Sequence, residues 1–114
     1  MHISCVLALL LLLAACGGDG AEPPEGCTDP VAATTIELAD FAFRPDCLSA
    51  DAGATITLEN TGEAPHTFTV TGTDVDFDVD AGTAIEARLA GLEAGTYAVT
   101  CTLHPQMEAT LTVA

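Results

Sequence analysis

The sequence predicts an all-β domain, a sandwich or barrel built from about eight short antiparallel strands. Apolar and polar residues alternate along almost every segment from residue 34 onwards, and turn-forming residues separate these segments. No stretch keeps a convincing helical period over three turns, and only residues 84–94 could be taken for a helix. The clearest strand is D-V-D-F-D-V-D at residues 74–80, where three apolar residues alternate with four aspartates.

Each predicted strand contributes alternate apolar residues to one buried face, as expected for a sheet with one wet side. Turn sequences lie between the strands, namely A-D-A-G, N-T-G-E-A-P, A-G-T and L-E-A-G. In chain order, the residues expected on the buried faces are Ile36 and Leu38; Phe41 and Phe43; Ile56 and Leu58; Phe68 and Val70; Val75, Phe77 and Val79; Ile85, Ala87 and Leu89; Tyr97, Val99 and Cys101; and Leu111 and Val113.

The first residues predict an exported, lipid-anchored protein. Residues 6–15 form an apolar run of ten, too short to span a bilayer and typical of a signal-peptide core. The run ends in L-A-A-C, which resembles a bacterial lipobox, so residues 1–15 are expected to be removed and Cys16 to carry lipid. One departure from the pattern is that the preceding M-H-I-S lacks the usual Lys or Arg, and the alternative is an ordinary cleaved signal followed by a chance Cys.

Residues 16–30 are rich in Gly, Pro and acidic residues and predict a flexible linker, which leaves residues 31–114 as one folded domain. The net charge is −15, and Arg44 and Arg88 supply the only Lys or Arg charges. This composition excludes a nucleic-acid partner, which requires a cationic surface. Anionic lipid would also repel the domain, so the lipid on Cys16 is the only membrane attachment expected. The acidic face at residues 74–80 could steer a basic partner, although a solvated strand face is the simpler interpretation.

The cysteine count points to one free thiol. Apart from Cys5 and Cys16, the chain contains Cys27, Cys47 and Cys101, an odd number for an oxidising compartment. A Cys27–Cys47 disulfide would leave Cys101 free beside a histidine and a methionine. A disulfide from Cys101 to either of the other two would abolish any metal site.

Cys101, His104 and Met107 are spaced three apart in the stretch C-T-L-H-P-Q-M. A turn with this spacing, stiffened by Pro105, can direct all three side chains to one point. His66, the other histidine of the expected mature chain, begins a predicted strand and should point inward at a strand end. Two imidazoles, a thiolate and a thioether form the ligand set of a blue-copper centre. The sequence therefore predicts one copper ion bound by these four residues.

Each of these residues taken alone has a simpler explanation. An isolated His66 is more often a capping or surface residue, and an isolated Met107 usually belongs to the core. Zinc could bind the histidines and Cys101, but Met is a poor zinc ligand and Met107 would remain unexplained. It is the combination that favours copper.

Residues from about 34 to 114 resemble the plastocyanin/azurin-like cupredoxins. The segments I-E-L-A-D-F-A-F-R-P-D, A-G-A-T-I-T-L-E-N-T-G-E-A-P-H-T-F and A-G-T-Y-A-V-T-C-T-L-H-P-Q-M-E-A-T-L-T-V follow the order found in that family. The C-x-x-H-x-x-M loop is similar to the short loop of amicyanin-type and pseudoazurin-type members. The resemblance implies a cupredoxin-like Greek-key β-sandwich, the ligands His66, Cys101, His104 and Met107, and electron passage through a partly exposed His104.

The sequence departs from the family pattern at two places. Glu108 and Ala109 replace a common Lys-Gly-like pair at the rim of the site. Thr67 stands where several members carry an Asn that ties the two ligand loops together, and a hydroxyl of Thr67 or Thr102 could take over that role. Asn60 is expected to be a turn residue.

Four apolar residues, Leu103, Pro105, Ala64 and Pro65, are expected to form a small cap around His104 that suits brief docking of a redox partner. The predicted function is therefore one-electron transfer between extracytoplasmic redox proteins by a monomeric, lipid-anchored copper protein. The alternative is a copper-binding module for scavenging, storage or delivery. An enzyme would need further histidines and a second domain, and a metal-free adhesion-like sandwich would leave Cys101 unexplained.

Overall fold

The computed structural model describes residues 27–114, so the predicted signal peptide, the lipidation site Cys16 and most of the linker lie outside the described residues. The all-β prediction is confirmed, with ten strands in place of about eight. The strands are β1 (Val31–Ala32), β2 (Thr35–Ala39), β3 (Ala42–Arg44), β4 (Cys47–Ala50), β5 (Thr55–Asn60), β6 (His66–Val70), β7 (Asp76–Val79), β8 (Ala84–Arg88), β9 (Gly95–Cys101) and β10 (His104–Val113).

The strands form two facing sheets. One has six strands in the order β1-β4-β10-β9-β6-β7, and the other has four in the order β3-β2-β5-β8. The sandwich is not purely antiparallel, because the pairs β1–β4, β4–β10 and β2–β5 are parallel. Parallel neighbours need a crossover connection, and here the chain between β2 and β5 visits the other sheet through β4.

The core lies between the sheets and is filled by the alternate residues that the sequence predicted. Ile36, Leu58, Phe68 and Leu111 are all fully buried, and burying each such side chain contributes roughly 1.5–3 kcal/mol. Phe43 meets Phe68 edge to face, with ring centroids 6.1 Å apart. This packing makes the sandwich a rigid support for the residues at its strand ends.

One local expectation was wrong. Phe41 does not share the buried face with Phe43, because it lies in the turn before β3 and is 49% exposed. The strand predicted at the start of residues 84–94 is confirmed: β8 pairs with β5, opposing Ile85 to Leu58, and a turn follows. Cross-strand pairing and burial override the weak helical pattern there.

A disulfide joins Cys27 to Cys47, as predicted, and Cys101 is a free, buried thiol. The bridge ties the first described residue to the start of β4, which lies opposite Thr110 on β10. Among residues 27–114, no helix has the length and apolar character needed to cross a membrane.

Candidate metal centre

Strand pairing brings three of the predicted ligands to one end of the sandwich. Cys101 ends β9 and lies opposite His104, the first residue of β10. β6 runs antiparallel to β9 with Val70 opposite Val99, which places His66, the first residue of β6, beside the end of β9. His66 is far from the other two in sequence, and a turn separates Cys101 from His104. Strand pairing in the sheet brings all three together.

The donor atoms of these residues converge. The Cys101 Sγ lies 3.9 Å from the His66 Nδ1 and 3.7 Å from the His104 Nδ1. All three donor atoms lie within 4.8 Å of one another. Such separations suit atoms that share one metal ion with bonds of about 2.0–2.3 Å. His66 and Cys101 are fully buried and His104 is half-buried, so the cluster lies just beneath the surface.

Met107 reaches the same end through an irregularity in β10. His104 pairs with Cys101 but Glu108 pairs with Thr100, so the intervening residues 105–107 bulge out of the ladder. A bulge re-aims side chains, and here it leaves Pro105 exposed while Met107 is buried to 1% exposure. The fold thus provides the thioether beside two imidazoles and a thiol, which is the donor set that suits a blue-copper site.

Thr67 ties the two ligand loops together, as the sequence suggested. Its backbone N–H donates to the Cys101 Sγ at 3.3 Å, and its Oγ1 accepts a hydrogen bond from the Thr102 N–H at 2.9 Å. The Thr67 hydroxyl also contacts that of Thr69, which donates to the Asp76 carboxylate at 2.8 Å. A chain of hydroxyl groups therefore links the Cys101 loop to the acidic strand β7.

Asn60 has a larger role than that of a surface turn residue. It is the buried last residue of β5, and its Nδ2 donates to the carbonyl oxygens of Ala64 and Val79 at 3.0 and 2.9 Å. Its Oδ1 accepts from the Gly62 N–H at 2.9 Å. These bonds shape the loop that delivers His66.

Asp40 was missed by sequence reasoning. Its carboxylate accepts hydrogen bonds from the Glu63 N–H at 2.8 Å, the Ala64 N–H at 3.3 Å and the His66 Nε2 at 2.8 Å. The bond from Glu63, with those from His66 and Ala64, outweighs partial desolvation and holds the pKa of Asp40 below its ordinary value. Asp40 is 26 residues from His66 in the chain, so no local pattern signals the contact.

Phe41 was assigned to the wrong environment. Its ring centroid lies 4.7 Å from that of His104 and 6.0 Å from that of His66. With Leu103, which is 54% exposed, it extends the apolar surface expected around His104. Of the other expected cap residues, Pro65 and Pro105 are exposed and Ala64 is half-buried.

The chain is similar to known proteins over almost its full length. A family model described as a cupredoxin-like domain matches residues 4–113. The methylamine utilization protein MauL of Methylophilus methylotrophus is 29% identical over 113 residues, which make up 95% of this chain and 65% of that protein. The chain thus spans just under two thirds of the length of that relative.

Two solved structures show the same fold. The Cu(I) form of an amicyanin mutant is 24% identical, with a TM-score of 0.58 over 84% of this chain and 100% of that chain. A Cu-containing nitrite reductase from Thermus scotoductus is 19% identical, with a TM-score of 0.57 over 75% of this chain but only 23% of that chain. The family match, together with the two histidines, free cysteine and methionine at one end of the sandwich, shows that the chain belongs to the cupredoxin-like domain family and indicates a blue copper protein with one type 1 copper site.

Proposed function

We propose that this protein carries single electrons between extracytoplasmic redox proteins, with His66, Cys101, His104 and Met107 as the ligands of one copper ion. The observation that carries the proposal is the convergence of two Nδ1 atoms on a free, fully buried thiol, 3.9 and 3.7 Å away. Copper would supply the Cu(I)/Cu(II) couple, for which imidazole and soft sulfur together are suitable ligands.

The chain's own residues hold the donors in place. The Thr67 N–H donates to the Cys101 sulfur at 3.3 Å and fixes the position of that side chain. The Cys27–Cys47 disulfide occupies the other two cysteines of residues 27–114, so neither is available to oxidise with Cys101. Because the donors stand on the ends of packed strands, little rearrangement is needed when an electron arrives or leaves.

His104 provides the route to a partner. It is the half-buried ligand, whereas His66 and Cys101 are closed off from solvent. Phe41 and Leu103 present exposed apolar surface beside it. A small apolar patch of this kind favours brief docking with fast release, as electron transfer between proteins requires.

The proposal also includes an export signal at residues 1–15, lipid on Cys16, a linker and a monomeric state. It further includes the absence of enzymatic activity, because both histidines of residues 27–114 are assigned to one site. The alternative function is copper scavenging, storage or delivery. The same buried thiol favours it, but this function would leave the exposed apolar patch beside His104 without a role.

Adding Cu(II) to residues 17–114 tests the proposal. We expect an intense blue absorption band from charge transfer between thiolate and copper, and Cys101→Ser is expected to abolish it while leaving the far-ultraviolet circular dichroism unchanged. Reversible bleaching and recovery of the band with a one-electron reductant and oxidant would support electron transfer. Tight Cu(I) binding without a blue band would support copper handling, and a colourless protein lacking a free thiol would contradict both.

A further inference from the structure

The strongest unassigned feature of the molecule is the carboxylate of Asp40, which lies in the turn between β2 and β3. It accepts three hydrogen bonds, from the Glu63 and Ala64 N–H groups and from the His66 Nε2. His66 is fully buried, whereas the Asp40 side chain keeps 28% of its exposure. The buried imidazole of His66 is therefore hydrogen-bonded to a carboxylate that is partly exposed at the surface.

The loop before His66 is shaped around this carboxylate. A Cβ atom added to Gly62 would lie 2.6 Å from the Asp40 Cγ, far closer than real Cβ contacts allow. The φ of Gly62 is not positive, so glycine is required there by the close approach of the carboxylate and not by backbone conformation. Asn60 holds the Gly62 N–H in place at 2.9 Å. The Asp40 contact is a built part of the fold and not a chance surface pairing.

The contact has a direct consequence for the metal-facing side of the ring. A neutral imidazole carries one proton, and an acceptor at Nε2 keeps the proton there. The Nδ1 is then an unprotonated lone pair, and it is the Nδ1 that faces the Cys101 sulfur at 3.9 Å.

The negative charge of Asp40 is not neutralised by a nearby arginine. Arg44 pairs with Glu37 at 3.5 Å, and among the described residues no Lys or Arg pairs with Asp40. A negative charge one imidazole away from a copper ion stabilises the more highly charged oxidation state.

We propose that Asp40 is a positioning residue of the copper site: its carboxylate holds the His66 proton on Nε2, frees Nδ1 to bind copper, and favours Cu(II) over Cu(I). This inference rests on the proposed function and deepens it by naming the group that lowers the reduction potential. Gly62 and the Glu63 and Ala64 N–H groups serve to hold that carboxylate in place.

The test compares reduction potentials of the full mature protein at one pH and ionic strength. Asp40→Asn removes the charge with little change in size, and Glu63→Gln is the matched control, because the Glu63 contact to Asp40 uses only its backbone N–H. We expect Asp40→Asn to shift the Cu(II)/Cu(I) equilibrium toward Cu(I) by about tenfold or more, which is 59 mV for a one-electron couple. The control should shift it less than about threefold, as for a screened surface charge.

Nitrogen-15 and proton NMR of the diamagnetic Cu(I) wild-type protein provides a second test that needs no variant. A slowly exchanging Nε2 proton on His66 would support the proposal, and a rapidly exchanging one, or a proton on Nδ1, would overturn it. Equal shifts of the reduction potential in the two variants, or no shift in Asp40→Asn, would also overturn it. If the wild-type protein is nevertheless blue, the proposed function still stands. A colourless wild-type protein would instead overturn the proposed function, and this inference with it.

Discussion

The loops around the predicted ligands and the turn after β4 differ in how much they depend on side-chain hydrogen bonds. At the site end, where the predicted ligands meet, polar side chains shape the loops. Asp40, Asn60 and Thr67 each bond to the backbone of a loop that carries or flanks a ligand. The positions of the donor atoms therefore depend on the identity of a few side chains.

At the far end, formed by the turn after β4 and the C-terminus, backbone groups bond to one another. The Ala52 N–H donates to the Ala114 carbonyl at 3.0 Å, and the Ala114 N–H donates to that of Ala50 at 3.1 Å. The Leu89 N–H donates to the Ala54 carbonyl at 2.8 Å. Such bonds need no particular side chain, so substitutions at the far end should leave the site unchanged, whereas substitutions at the site end should alter it.

Removing the disulfide is expected to have the largest effect, and that effect should fall on global stability and not on the geometry of the site. Replacing both Cys27 and Cys47 by Ala opens a loop closed by a sequence separation of 20. We expect a loss of about 3 kcal/mol in the free energy of unfolding, because the unfolded chain regains its freedom. Denaturant titration would measure it, and the blue band of the folded copper protein should be unchanged. An altered band in the folded variant would show that the disulfide acts on the site.

A pair of glycine variants compares the two ends directly. Gly62→Ala places a methyl group against the Asp40 carboxylate, and we expect it to cost about 1–3 kcal/mol in stability and to alter the copper spectrum. Gly53→Ala at the far end meets no atom within 4 Å but has φ of +74°, so it should cost about 1–2 kcal/mol from backbone strain alone. Its copper spectrum should match the wild type. Equal spectral changes in both variants would contradict the comparison.

A pair of threonine variants tests the smallest effect. Thr67→Val removes the acceptor of the Thr102 N–H and should cost about 1–2 kcal/mol, with a shifted copper band. Thr110 is equally buried, but its Oγ1 has no hydrogen-bond partner among the described residues. Thr110→Val should therefore be neutral or stabilise the protein by about 1 kcal/mol and leave the copper band unchanged. Thermal or denaturant unfolding of the two variants would measure this, and destabilisation by Thr110→Val would reveal a bond that the structure does not show.

Much of the fold follows from alternation along the chain. In residues 74–80, Val75 and Val79 are buried while the four aspartates are exposed, as the period of two predicts. The short strands β1 and β4 were not predicted, because two to four residues carry too little pattern. Residues 84–94 were ambiguous because their alanines suit either a helix or a strand, and the pairing of β8 with β5 decides for the strand.

The candidate site likewise contains residues that the sequence predicted and residues that it did not. Cys101, His104 and Met107 lie within seven residues, and His66 begins a strand with clear alternation, so spacing and donor chemistry were enough to predict all four as ligands. The role of Thr67 was also anticipated. Asp40 and Phe41 were not, because they reach His66 and His104 only through the turn between β2 and β3.

The sequence by itself determined the all-β class and the chemistry of the four predicted ligands, because side-chain period and donor type are local properties. Tertiary structure decided that Asp40 and Phe41 also lie against those ligands. The Asp40 carboxylate meets His66 because β2 and β5 run parallel and end together, and Gly62 leaves room for it. Contacts of this kind depend on how distant strands pack, and no spacing along the chain encodes them.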